Sequence, residues 1–166
     1  MQRDIIAVLS VAVFAFLVSL AIATVRKRAR IQSAALKLYE IDSLTGEEVA
    51  EAAGQYVSTV FTDSPLQRVV ANGLMHRGQA RLSVLKDGLI IDRTGEASIA
   101  IPAASLVSVT RASATIDRGT ETDGLLTVDW KAGASSLSTN LRLNREDDTM
   151  ELFKTLNELA NEGAKA

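Results

Sequence analysis

The sequence predicts one membrane-spanning α-helix, then a mainly-β barrel of about seven short antiparallel strands closed by a C-terminal amphipathic helix. Three observations carry this. Residues 5–25, IIAVLSVAVFAFLVSLAIATV, hold no charge. Residues from Gly54 onward break into short alternating runs divided by Gly, Asp and Pro. The last twenty residues repeat apolar positions at helical spacing.

The N-terminal run comes first. At ~1.5 Å per residue, 21 residues make a helix of roughly 31 Å, which matches a hydrocarbon core of about 30 Å. A helix also bonds every backbone polar group internally, as the bilayer demands. The basic residues Arg26, Lys27, Arg28 and Arg30 follow it. Under the positive-inside rule that flank stays in the cytosol. This predicts a single-pass plasma-membrane protein, N-terminus out and C-terminal domain cytoplasmic. The competing reading is a cleaved signal peptide, for which Ala21-Ile22-Ala23 is the site. Against it stand the length of the apolar run and the weakly charged head MQRD. The basic run sets topology and reaches lipid headgroups; specific recognition of anionic lipid is the sharper alternative.

Residues 1–25 are thus the anchor, 26–53 a basic juxtamembrane segment and linker, 54–162 the folded domain and 163–166 a tail. Within the linker the helix continues for a few turns, with Ile31, Ala34, Ala35 and Leu38 at helical spacing. Thr45 and Glu48 have capping-box spacing, which suggests a short helix ending at Gly54; an unstructured spacer fits equally.

Gln55–Thr62 reads as the first strand. Ser64 and Pro65 then open a short helix with Leu66, Val69 and Val70 on its apolar face, ended by Gly73. In GQARLSVLKDGLIIDR the alternation of Ala80, Leu82 and Val84, with Asp87-Gly88 between apolar runs, specifies a hairpin. Arg93–Glu96 makes the next turn. Ser98–Ile101 is a strand that Pro102 ends, since proline donates no ladder bond. Leu106–Thr110 is the fifth strand, Asp117–Gly124 a polar loop, GLLTVDWKAG the sixth strand and SLSTNLRL the seventh. Asn144 is the expected N-cap of the final helix. Glu146, Asp147 and Asp148 in its first turn suit the helix dipole. Leu152, Phe153, Leu156, Leu159 and Ala160 form its single apolar stripe.

The stretches GQYVSTV, LQRVVANGL, RGQARLSV, DGLIID, IPAASL, GLLTVDW and LSTNLRL, in this order, resemble the actinobacterial membrane-anchored proteins with a pleckstrin-homology-like (PH-like) domain. The resemblance covers roughly Gln55 to Leu159 together with the single span. It implies a PH-like barrel of two orthogonal sheets plugged by the C-terminal helix, and no catalytic residue.

Composition narrows function. No cysteine and one histidine, His76, exclude disulfides, thiolate metal sites and paired imidazoles. His76 has no acidic neighbour in the sequence and reads as a loop residue. Asp147-Asp148 are explained by the helix start. Asp117, Glu121 and Asp123 lack the spacing of a calcium loop. No nucleotide or hydrolase motif is present, so the expectation is no enzyme, no cofactor, no metal and no small-molecule substrate. A net charge of −2 and aromatics at core positions argue against nucleic acid. Trp130 shares a face with Val128 and Leu126, which places it in the core. Two binding readings remain. Leu106, Val107, Ser108, Val109 and Thr110 would form the edge of a peptide groove beside the final helix, giving an adaptor for an unidentified protein partner. Arg68, Arg77 and Arg81, near the first two strands, would instead meet anionic headgroups in a lipid-binding or membrane-stress module, though ordinary surface charge explains them too.

Overall fold

A computed structural model of the chain describes residues 2–112 and 125–163. The helix α1 (Gln2–Ala35) is followed by a 3₁₀ turn (Ile41–Ser43), the strands β1 (Glu48–Phe61), β2 (Ser64–Arg68), β3 (Gly78–Leu85), β4 (Gly88–Arg93), β5 (Ile99–Pro102), β6 (Leu106–Ala112), β7 (Leu125–Ala132) and β8 (Ser135–Leu143), and the helix α2 (Glu146–Gly163). The loop expected at Asp117–Gly124, with Asp117, Glu121 and Asp123, lies outside the described residues.

Seven strands form one antiparallel path, β5-β4-β3-β1-β8-β7-β6, and β2 pairs with β1 alone. The long strand β1 makes this two-sided. Its residues 48–56 pair with β3, and its residues 54–61 pair with β8. The register slips between Tyr56 and Ser58, and such a bulge bends the strand. β1 therefore turns from one half of the sheet into the other. Gly54 sits where both partners meet it, and a Cβ there would run into the Arg142 carbonyl oxygen. The path's ends, β5 and β6, are joined only by a three-residue 3₁₀ turn, Ala103–Ser105. This is the expected PH-like architecture, an antiparallel β-sheet with a C-terminal helix.

The core fills the space between the halves. Tyr56, Leu82, Leu89, Ile91, Ile101, Leu126, Trp130, Leu137 and Leu141 are inaccessible to solvent, and Trp130 is in the core as expected. α2 lies on β6, β1 and the 103–105 turn. Its Leu152 and Leu156 are fully buried, each worth ~1.5–3 kcal/mol of transfer free energy.

The structure corrects three local expectations. The expected helix before Gly54 is strand: Ala50, Ala52, Gly54 and Tyr56 alternate inward along β1. Two backbone N–H groups, of Thr45 and Gly46, donate to Asp87 Oδ2 at 2.8 and 2.9 Å, which ties the approach to β1 onto the β3–β4 turn. The expected helix at Ser64 is the arm of a hairpin, β2, with every residue exposed. Pro65 is tolerated there because β2 is an edge strand. Asn144 does not cap α2. Its N–H donates to the Ala53 carbonyl at 3.1 Å, and the first helical bond runs from Thr149 N–H to Arg145 O at 3.2 Å, so Arg145 occupies the cap position.

Candidate functional site

The junction between α1 and the sheet is built from polar anchors. Ala29 and Gln32 are half-buried and Leu36, just past the helix end, is 4% exposed. These lie at i, i+3 and i+7, one face of the helix. Gln32 Oε1 accepts a hydrogen bond from Val70 N–H at 2.7 Å. Ser33 Oγ donates to Asn72 Oδ1 at 3.4 Å, and Asn72 adopts the left-handed conformation with φ 54°. Beyond the helix, Tyr39 bridges to Ala100 and its hydroxyl accepts from Ser105 Oγ at 2.7 Å. The helix thus runs from the apolar stretch, through exposed Arg26, Lys27, Arg28 and Arg30, and docks on the domain. Of the face expected from hydrophobic spacing, Ile31, Ala34 and Ala35 are exposed and only Leu38, past the helix end, is half-buried against the core. Hydrophobic periodicity misses a face whose centre is a glutamine bonded to the backbone of Val70, just past β2 and 38 residues away.

The three arginines proposed for headgroups do not gather. Arg68 sits opposite Val60 on β1 and Arg81 opposite Ala53. Seven residues of strand, roughly 23 Å, separate those rows. Arg81 is also occupied. Its guanidinium forks onto Glu51, Nε to Oε1 at 2.6 Å and Nη2 to Oε2 at 2.7 Å, and these hydrogen bonds raise its pKa further. Arg77 is exposed just before β3. His76 does have an acidic neighbour, contrary to the sequence reading. Its Nδ1 lies 2.7 Å from Glu96 Oε1, delivered by the turn after β4.

Beside that pair lies a network the sequence did not reveal. Arg93 is 6% exposed. Its Nη1 donates to Gly73 O at 2.8 Å, and Nε and Nη2 donate to Ala97 O at 3.1 and 2.5 Å. The guanidinium stacks 4.9 Å from the centre of the Tyr56 ring. Burial lowers the Arg93 pKa, with Tyr56 and Glu96 opposing, and burial raises that of Tyr56. This cluster clamps the 71–76 loop to the 93–97 turn. The inward-facing cation at a strand end was its only sequence signal. Among the described residues, no group of three or more His, Asp or Glu is placed to hold a metal.

The expected peptide edge is β6. Leu106 and Val109 are buried, Ser108 Oγ donates to Asp129 Oδ2 at 2.7 Å, and Thr110 is exposed. Val107 is the extra residue of a bulge against β7 and is 55% exposed. β6 ends the strand path, so among the described residues its outer backbone edge has no strand partner. α2 flanks that edge, with Met150 52% exposed. Arg111 links the two elements: Nη1 donates to Met150 Sδ at 3.6 Å, and Nη2 lies 3.9 Å from Glu146 Oε1.

Comparison with known proteins agrees with this architecture. The profile of the family described as Bacterial PH domain-like matches residues 35–157, most of the chain, and the chain belongs to that family. The match begins at the docked end of α1, ahead of β1. A search of the curated proteins found no match. Among solved structures, the C-terminal domain of an unknown protein from Leishmania infantum aligns with a TM-score of 0.40 and 14% identity, over 81% of this chain and 97% of that one. A structure of Vav1 inhibited by an allosteric inhibitor aligns with a TM-score of 0.36 and 14% identity, over 71% of this chain and 26% of that one.

Proposed function

We propose that this chain is a membrane-tethered, non-enzymatic PH-like adaptor on the cytoplasmic face of the plasma membrane. The observation that carries the binding reading is the outer edge of β6: a terminal strand, bulged at exposed Val107 and flanked by exposed Met150 on α2. An extended peptide from a protein partner adds there as a further strand, with backbone bonds giving affinity and Val107 and Met150 offering apolar contact. The tether is supported by the stretch Leu9–Ala35, which contains an 18-residue window with a mean hydropathy of 2.2. The basic flank Arg26, Lys27, Arg28 and Arg30 orients it with the domain inside. Tethering raises the local concentration of a weak binder, so modest affinity suffices.

A headgroup site made of Arg68, Arg77 and Arg81 has less support, because Arg81 is held by Glu51 and the rows of Arg68 and Arg81 are far apart. The cleaved-signal reading makes its own prediction: the mature chain would begin near Thr24, which intact mass resolves.

The test is site-specific photo-crosslinking in cells, with the cross-linker at Val107 or, as a control far from β6, at exposed Ala97 in the turn before β5. A partner adduct at 107 that Thr110→Pro abolishes supports the adaptor reading. Equal adducts from both positions would sink it. A reporter active only outside the cytosol, fused to the C-terminus, checks topology; activity there overturns the cytoplasmic assignment.

A further inference from the structure

A cleft of about 770 Å³ opens between the end of α1 and β2. Its walls include Arg28, Ile31 and Gln32 on the helix and Pro65, Leu66 and Arg68 on the strand. We propose that this cleft holds the phosphate of an anionic phospholipid drawn from the leaflet that α1 crosses. The inference rests on the reading of α1 as a span, and assigns it a ligand site that neither the basic run nor the sheet makes alone.

Depth argues first. Arg28 lies three residues past Val25, about 4.5 Å further along the axis. Ile31 lies about 9 Å along. The polar zone of one leaflet is roughly 5–7 Å thick. Arg28 therefore lies within the headgroup zone, and the cleft opens from there toward the aqueous side. Docking of Gln32 on Val70 N–H, two residues past the end of β2, ties the chain after β2 to the helix.

Chemistry argues second. Two guanidiniums face the cleft from opposite walls, and no carboxylate lines it. Among the described residues neither Arg28 nor Arg68 enters an ion pair, whereas Arg81 is taken by Glu51. Planar, permanently charged forks are the side chains best matched to a phosphate. Leu66, 92% exposed, stands beside Pro65 on the strand wall of the cleft. The depth of Arg28, inside the headgroup zone, favours a lipid phosphate over a soluble ester. A peptide strand is disfavoured because Pro65 interrupts the donors of β2.

The test uses the full chain in nanodiscs. It has no cysteine, so Asp63→Cys, exposed in the turn before β2 and outside the cleft lining, carries one environment-sensitive fluorophore. Discs of phosphatidylcholine alone are compared with discs containing phosphatidylglycerol, using a quencher borne on the lipid chains. The expected result is several-fold stronger quenching in the anionic discs. It is lost in the Arg28→Gln/Arg68→Gln double variant and kept in Arg81→Gln. An unchanged Trp130 emission maximum certifies that each variant is folded, since Trp130 is fully buried. Equal quenching in both discs, or quenching indifferent to the double variant, overturns the proposal. So does glycerol 3-phosphate reproducing the response in phosphatidylcholine discs, which would assign the site to a soluble ester. A chain that fails to co-elute with either disc refutes the span itself, and the proposal falls with it for that separate reason.

Discussion

Thr139→Val tests the account of the core most directly. Trp130 Nε1–H donates to Thr139 Oγ1 at 2.9 Å, and the Thr139 and Thr59 hydroxyls lie 2.9 Å apart. The Tyr56 hydroxyl is 2.7 Å from Thr59 Oγ1 and 2.8 Å from the Leu74 carbonyl oxygen. One O–H cannot serve both with full strength, and a carbonyl only accepts. Tyr56 therefore donates to Leu74, Thr59 to Tyr56, Thr139 to Thr59 and Trp130 to Thr139. Every donor has one acceptor, in a site sealed from bulk solvent: all four side chains belong to residues at 0% exposure. Valine keeps the shape of threonine but orphans the indole N–H, at ~1–3 kcal/mol, and deletes one further bond worth ~1 kcal/mol. The expected loss is ~2–4 kcal/mol, a large share of a stability of about 5–15 kcal/mol. Thr139→Ser keeps both bonds and removes one methyl, for ~1 kcal/mol. Urea unfolding in detergent reads this through Trp130, the sole tryptophan. If the valine variant unfolds at the same urea concentration as the serine variant, or later, the directional chain is wrong.

Three further outcomes follow from the same geometry. Arg93→Lys keeps the charge but not the fork that reaches Gly73 O and Ala97 O, so it should lose ~2–3 kcal/mol in the same urea assay; a loss under about 0.5 kcal/mol would show the clamp is not structural. Gly88→Ala places a Cβ 2.5 Å from Ile101 O and 2.9 Å from Leu44 methyls, so it should cost ~1–3 kcal/mol as overpacking, and an unaltered melting temperature would contradict the close β4–β5 approach. Burial raises the Tyr56 pKa above its ordinary 10.0, so the folded state keeps a proton that the unfolded chain releases; stability should fall as pH rises past about 10, more steeply than in Tyr56→Phe, and parallel profiles would refute the assignment.

How much of this was legible in the sequence depended on range. The β3–β4 hairpin announced itself because Asp87-Gly88 and the alternation around it are local. The α2 stripe was equally plain, since Leu152, Leu156 and Leu159 need only their own helix to be read. EVAEAA misled because Ala and Glu favour helix in isolation. In the fold Ala50 and Ala52 pair with β3, and tertiary pairing overrides so weak a preference. Pro65 misled for the opposite reason: it suits a helix start and an edge strand alike, and what decides is that β2 pairs only with β1 among the described residues. The site residues were least legible. Gln32 meets Val70, Arg93 meets Gly73 and Glu96 meets His76 across long separations, and each is an ordinary polar residue until the chain folds.

The docking of α1 bears on what a tether does. A flexible linker raises a domain's local concentration but leaves its orientation free. Here the helix end is bonded to the domain through Gln32 and Ser33, and Leu36 enters the core. If α1 spans the bilayer as proposed, the domain is mounted rather than leashed. The β6 edge and the α1–β2 cleft then hold set positions relative to the lipid surface. Cutting the dock without cutting the chain separates the two effects. Gln32→Ala with Ser33→Ala leaves the anchor and its basic flank intact, so partner capture through β6 should persist, while headgroup engagement by the α1–β2 cleft should weaken because the chain after β2 is no longer tied to the helix. Loss of both together would mean that orientation, and not proximity alone, governs the β6 edge.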